Sequence, residues 1–170
     1  MLKNVYLIGM PGCGKSTIGR AVGEVLNRTF VDMDDVIERT SDQSISALFD
    51  VSESHFRKAE TAVLEDLSKS TSLLIATGGG VVTQAVNVKL LRKSGFVIYI
   101  QRAVDDIFSD IDVATRPLLA KNPNGLMALY EERKDLYETC AHLVVRNDGD
   151  IWRVVDAVVK EIEIYENYGN

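Results

Sequence analysis

The stretch Tyr6–Val22, YLIGMPGCGKSTIGRAV, decides how this chain folds. It begins as a short apolar run and ends as a helical pattern, and between them Gly9, Gly14, Lys15 and Ser16 fit the spacing G-x-x-x-x-G-K-[ST]. Glycines there let backbone N–H groups converge on phosphate oxygens, and a helix starting near Lys15 turns its positive dipole end toward them. The Lys15 ammonium reaches the outer phosphates, and the Ser16 hydroxyl is a ligand for Mg²⁺. A plain glycine turn needs neither Lys15 nor Ser16. The loop is therefore read as a site for ATP or a close relative, built from Gly12, Cys13, Gly14, Lys15, Ser16 and Thr17. Cys13 falls on a variable position of the pattern and is given no catalytic role.

Working outward, short apolar runs alternate with longer helical patterns, the mark of successive βαβ units and a parallel sheet with helices on both faces. Five strands are expected, beginning at Asn4, Thr29, Ser72, Phe96 and His142, and their continuous apolar character suits burial on both faces. Helical periodicity runs over 15–26, 44–49, 53–69, 84–93, 104–111, 126–139 and 151–165. The surplus of helix lies in one long crossover, 34–70, read as a substrate-binding insertion. The segment 112–125, DVATRPLLAKNPNG, holds two prolines and an Asn-Gly pair and is read as a mobile lid. With no repeat or linker, 170 residues make one domain, 1–170.

Composition narrows the partners. A net charge of −6, from 25 acidic and 19 basic residues, offers no broad basic face for nucleic acid or an anionic membrane. Two distant cysteines, Cys13 and Cys140, lack metal-ligand spacing and fit a reducing compartment. Without a signal-peptide shape or an apolar run long enough to span a bilayer, a soluble, cytoplasmic, monomeric protein is expected.

The third strand, LLIATGGG, ends without the acidic residue that assists the metal in many proteins with this loop. Asp32 and Asp34 close the second strand at the sheet edge where open α/β folds bind ligands, so the carboxylate chemistry is assigned to them. Asp35 is expected to cap the next helix. Arg57, Arg116 and Arg133 stand out as sources of local positive charge. From spacing alone, however, Arg57 in HFRKAE and Arg133 in YEERKDLYE read as solvated helix charges.

Five matches in order, GMPGCGKST, DMD at Asp32–Asp34, FRKAE at Phe56–Glu60, GGG at Gly78–Gly80, and RPLL from Arg116 followed by RKDLY from Arg133, make the chain similar to the shikimate kinases over nearly its whole length. The resemblance implies a P-loop kinase fold with strand order 2-3-1-4-5, a lid, and ATP-dependent phosphorylation of the 3-hydroxyl of shikimate in aromatic amino-acid biosynthesis. It implies that Arg57 and Arg133 clamp the shikimate carboxylate and that Asp34 and the backbone of Gly78, Gly79 and Gly80 hold the hydroxyls. Lys15, Asp34 and Arg116 become the catalytic residues, with Arg116 reaching both nucleotide and transferring phosphoryl group. Ser16 and Asp32 hold Mg²⁺, Asp32 through a water. His55 matches nothing and is left to surface or packing. A gluconate- or nucleotide-type kinase shares the loop and size, and a nucleotide-sensing module without catalysis shares the loop. The first lacks support for its acceptor site, and the second would not need the full set Lys15, Ser16, Asp34, Arg57, Arg116 and Arg133. One departure remains. The family's second lid arginine, over the adenine, would fall near Ser109, where the chain has the acidic neighbours Asp110 and Asp112, and a weaker hold on ATP is expected. The adenine pocket is further expected to involve the loop 146–150.

Overall fold

The computed structural model describes residues 3–110 and 123–168. Strand β1 (Asn4–Ile8) is wholly buried and leads through the glycine loop into α1 (Lys15–Leu26), whose N-cap is Gly14. Strand β2 (Phe30–Asp32) runs directly into α2 (Met33–Ser41), followed by α3 (Ile45–Val51) and α4 (Glu53–Leu67). Strand β3 (Leu74–Ala76), a 3₁₀ turn (Val81–Thr83) and α5 (Ala85–Ser94) come next, then β4 (Gly95–Gln101) and α6 (Val104–Ser109). Helix α7 (Pro123–Cys140), β5 (Leu143–Arg146) and α8 (Ile151–Tyr168) complete the described chain.

The five strands form one parallel sheet in the order β2-β3-β1-β4-β5, as the resemblance implied. All side chains of β1 and β3 are buried, because parallel crossovers cover both faces with helices and leave no solvated side for polar alternation. Helix α1 packs with α8, which buries Val154, Val155, Val158 and Ile162, while α5 and α7 pack together against β4. No helix among the described residues is long and apolar enough to cross a membrane.

Three sequence expectations shift. The acidic run at Asp32–Asp35 is not merely a strand end. Asp32 is the N-cap of α2, its carboxylate accepting the Asp34 amide at 3.1 Å, so the capping expected of Asp35 belongs to Asp32. Asp35 instead lies exposed in the first turn, where a negative charge suits the helix dipole. At the other site, α7 already includes Pro123–Gly125, since proline is well tolerated in a first helical turn. Most of the expected lid, including Arg116, lies outside the described residues.

Candidate active site

The carboxyl ends of β1, β2 and β3 open into a cavity of about 520 Å³. Its floor is the glycine loop, and Lys15, Ser16, Asp32, Asp34, Gly78 and Gly79 line one end. Lys15 is buried and donates to the carbonyls of Gly9 at 2.8 Å and Met10 at 2.9 Å, so its ammonium is held at the loop rather than extended into solvent. The Ser16 hydroxyl donates to Asp32 at 2.6 Å. A hydroxyl and a carboxylate thus meet in the cavity at the start of α1. Thr77 occupies the place of the missing acid on β3, but its hydroxyl donates to Leu7 O at 3.0 Å and is committed to the sheet. Cys13 is buried in the core, its amide donates to Met10 O, and it does not line the cavity.

Beside Asp34 lies a group of charges that no helix-spacing argument would bury. Arg57 and Arg133 are each 8% exposed and Glu60 is fully buried. Arg57 donates to Glu60 at 2.8 Å and sits over the rings of Phe49 and Phe56, which stack 4.3 Å apart. A Cβ on Gly80 would run into the Arg57 guanidinium, so only glycine lets the GGG turn pass this close. A Cβ on Gly78 would lie 3.0 Å from Glu60 Oε1 and 3.2 Å from Asp34 Oδ1, which brings both carboxylates to the same turn. Burial pushes the Glu60 carboxyl up, Arg57 opposes that shift, and Asp34 adds to it.

Helix α7 completes the group. Arg133 and Tyr137, four residues apart, share one face, and Tyr137 donates to Gly79 O at 2.6 Å while taking a hydrogen bond from Arg133. Burial pushes the Tyr137 phenol up, so it remains a donor that pins the GGG turn. Among the described residues, Arg57 Nε, Arg133 Nε and Glu60 Oε1 are buried without a partner. Two guanidiniums with unspent donors and one carboxylate with an unspent acceptor can receive an anion and a hydroxyl on the same ligand. The surface reading of both arginines is thereby overturned.

At the opposite end the cavity is lined by Arg102, Asp110, Asn147, Gly149 and Ile151. Asn147 is buried and donates to Cys13 O at 2.9 Å, tying the loop after β5 to the glycine loop. Of the loop 146–150, Asn147 and Gly149 thus line the cavity. His55 is exposed at the start of α4 and takes no part.

A sequence profile described as shikimate kinase matches residues 11–163. The shikimate kinase of Clostridium botulinum (strain Alaska E43 / Type E3) is 45% identical over 162 residues, covering 95% of this chain and 98% of that protein. The chain belongs to the shikimate kinase family. Its fold matches that of the shikimate kinase from Acinetobacter baumannii in complex with shikimate, with a TM-score of 0.89, 36% identity, and coverage of 99% of this chain and 96% of that one. A gluconokinase from Sinorhizobium meliloti reaches a TM-score of 0.63 at 12% identity, which is a likeness of fold alone. As a shikimate kinase family member the chain is a phosphotransferase with ATP as co-substrate.

Sequence reasoning did not single out Glu60, Tyr137, Arg102 or Asn147. Glu60 carried a weak signal, the i,i+3 spacing to Arg57. Tyr137 closes the RKDLY motif and Asn147 lies in the loop 146–150, whereas Arg102 carries no signal in the sequence.

Proposed function

We propose that the chain transfers the γ-phosphoryl group of ATP to the 3-hydroxyl of shikimate, with the acceptor bound between Asp34 and the Arg57–Arg133 pair. ATP-dependent phosphorylation of shikimate in aromatic biosynthesis is the activity of the family to which it belongs. The observation that carries the residue assignment is the pair of buried guanidiniums with unspent Nε donors beside Asp34 and Gly79. A carboxylate satisfies both forks, and hydroxyls on the same ring meet Asp34 and the GGG backbone.

In this reading Asp34 accepts the proton of the 3-hydroxyl as its oxygen bonds to the γ-phosphorus, and the bond to the bridging oxygen of the β-phosphate breaks to release ADP. Lys15 exchanges its contacts with Gly9 and Met10 for phosphate oxygens, and Arg116 neutralises charge on the transferring group. The donor set suits Mg²⁺. Ser16 Oγ and Asp32 offer one hydroxyl and one carboxylate, hard oxygen donors of the kind such an ion takes. When bound, that ion supplies positive charge at the outer phosphates. Ser16 and Asp32 would hold it, Asp32 through a water as the family resemblance implies.

A coupled ADP-release assay with shikimate, gluconate and nucleoside monophosphates in parallel tests the acceptor. Turnover with shikimate alone is expected. Faster turnover with gluconate or a nucleotide would overturn the assignment of Arg57, Arg133 and Asp34.

A further inference from the structure

The nucleotide end of the cavity holds a cation that the phosphate loop does not explain. Arg102 directly follows β4, and its side chain is 15% exposed. It donates through Nη1 to Gly12 O at 3.3 Å and pairs through Nη2 with Asp110, while its Nε is buried without a partner among the described residues. Asp110 itself is 61% exposed, and an ion pair with so open a partner adds little to stability. Stability therefore does not account for a guanidinium held over a carbonyl of the glycine loop.

The direction of the bound nucleotide does account for it. Acceptor chemistry lies at Asp34 and Gly79, and the phosphates follow the loop Gly12–Thr17. The nucleoside end then falls against Arg102, Asn147, Gly149 and Ile151. Asn147 and Gly149 belong to a loop tied by Asn147 to Cys13 O and by the Gly149 amide to Asn147 at 3.2 Å. Arg102 leaves the neighbouring strand end, paired at Gln101 with Arg146, and has a planar face suited to stacking on a base.

We infer that Arg102 is a nucleotide-binding residue whose guanidinium covers the base of ATP, with Asp110 anchoring it. The acidic residue beside Ser109 is thus neutralised by Arg102 rather than turned against the triphosphate. The cation missing at the start of the lid is supplied from the end of β4. This inference rests on reading the cavity as the ATP site.

The test compares Arg102→Ala, Arg102→Lys and Lys15→Ala with the wild type, using calorimetric affinities for ATP, inorganic tripolyphosphate and shikimate, with thermal unfolding to establish that each variant is folded. Arg102→Ala is expected to weaken ATP binding about 2- to 30-fold while leaving tripolyphosphate and shikimate unchanged. Arg102→Lys, which keeps the charge but not the plane, is expected to restore only part of the loss. Unchanged ATP affinity in Arg102→Ala, equal loss of ATP and tripolyphosphate, or full rescue by lysine would each overturn base stacking. Lys15→Ala tests the underlying reading separately. If it binds ATP like the wild type, the cavity is not the ATP site. If it loses ATP while Arg102→Ala does not, only the inference about Arg102 fails.

Discussion

In the proposed reading, the acceptor and nucleotide regions of the active site are built on opposite plans. At the proposed acceptor end the charges are carried by side chains sunk into the protein, Arg57 and Arg133 at 8% exposure and Glu60 at none, with Arg57 and Glu60 paired to each other along α4. At the proposed nucleotide end the glycine loop is joined by Lys15 and by Arg102, which is paired to an aspartate that is 61% exposed. The difference teaches how selectivity is divided. Phosphates are common ligands that a loop can cradle through geometry alone, whereas one small acceptor is chosen by buried charges that are costly to leave unmatched.

The sharpest break in this picture is chemical. Asp34→Asn preserves shape and hydrogen bonding but removes the proton acceptor, so turnover at saturating substrates is expected to fall about 10²- to 10⁴-fold with shikimate affinity nearly kept. Steady-state kinetics with parallel calorimetry checks both halves. Near wild-type turnover would reduce Asp34 to a positioning residue.

A packing change sharpens the comparison. Gly80→Ala drives a methyl group into the Arg57 guanidinium, the far end of that side chain, which must shift away from the turn. Shikimate binding is expected to weaken while ATP binding holds, as read by titration of each ligand. Loss of both together would mean that the two ends are not separable.

The smallest effect lies away from both ends. The Val97 amide donates to His142 Nδ1 at 3.0 Å, and burial together with Arg92 and Lys3 pulls the imidazole below its usual 6.5. The unfolded chain then takes up the proton first, so stability is complete above 6.5 and declines as pH falls below it. The ring is exposed by residue, so the drop in Tm is expected to stay under the roughly 2–4 °C that 1 kcal/mol produces in a domain of this size. Thermal melts across that range should show the decline, and His142→Asn, which keeps an acceptor but cannot charge, should flatten it.

How much of this was legible in the sequence follows the same division. The glycine loop could be read from four residues because its function depends on local backbone geometry, and the buried strands could be read because parallel pairing demands unbroken apolar runs. Helix α2 is hidden, since the aspartate at its N-cap also closes β2 and the two acidic residues after it lie in the first helical turn. Arg57 and Arg133 looked like surface charges because their burial arises only when α3, α7 and the GGG turn converge. Arg102 was passed over for a related reason. Its partner Asp110 lies one helix further on, and neither residue carries a motif.

The most direct test of two separable ends is a crossed titration, with calorimetric affinities for shikimate and ATP measured on Arg57→Ala, Arg133→Ala and Arg102→Ala. Truncating one partner of a buried charge pair typically costs about 2–5 kcal/mol, so each acceptor-end variant should lose shikimate affinity on that scale with ATP affinity unchanged. Arg102→Ala should do the reverse. Equal losses of both ligands in any of the three variants would contradict the account.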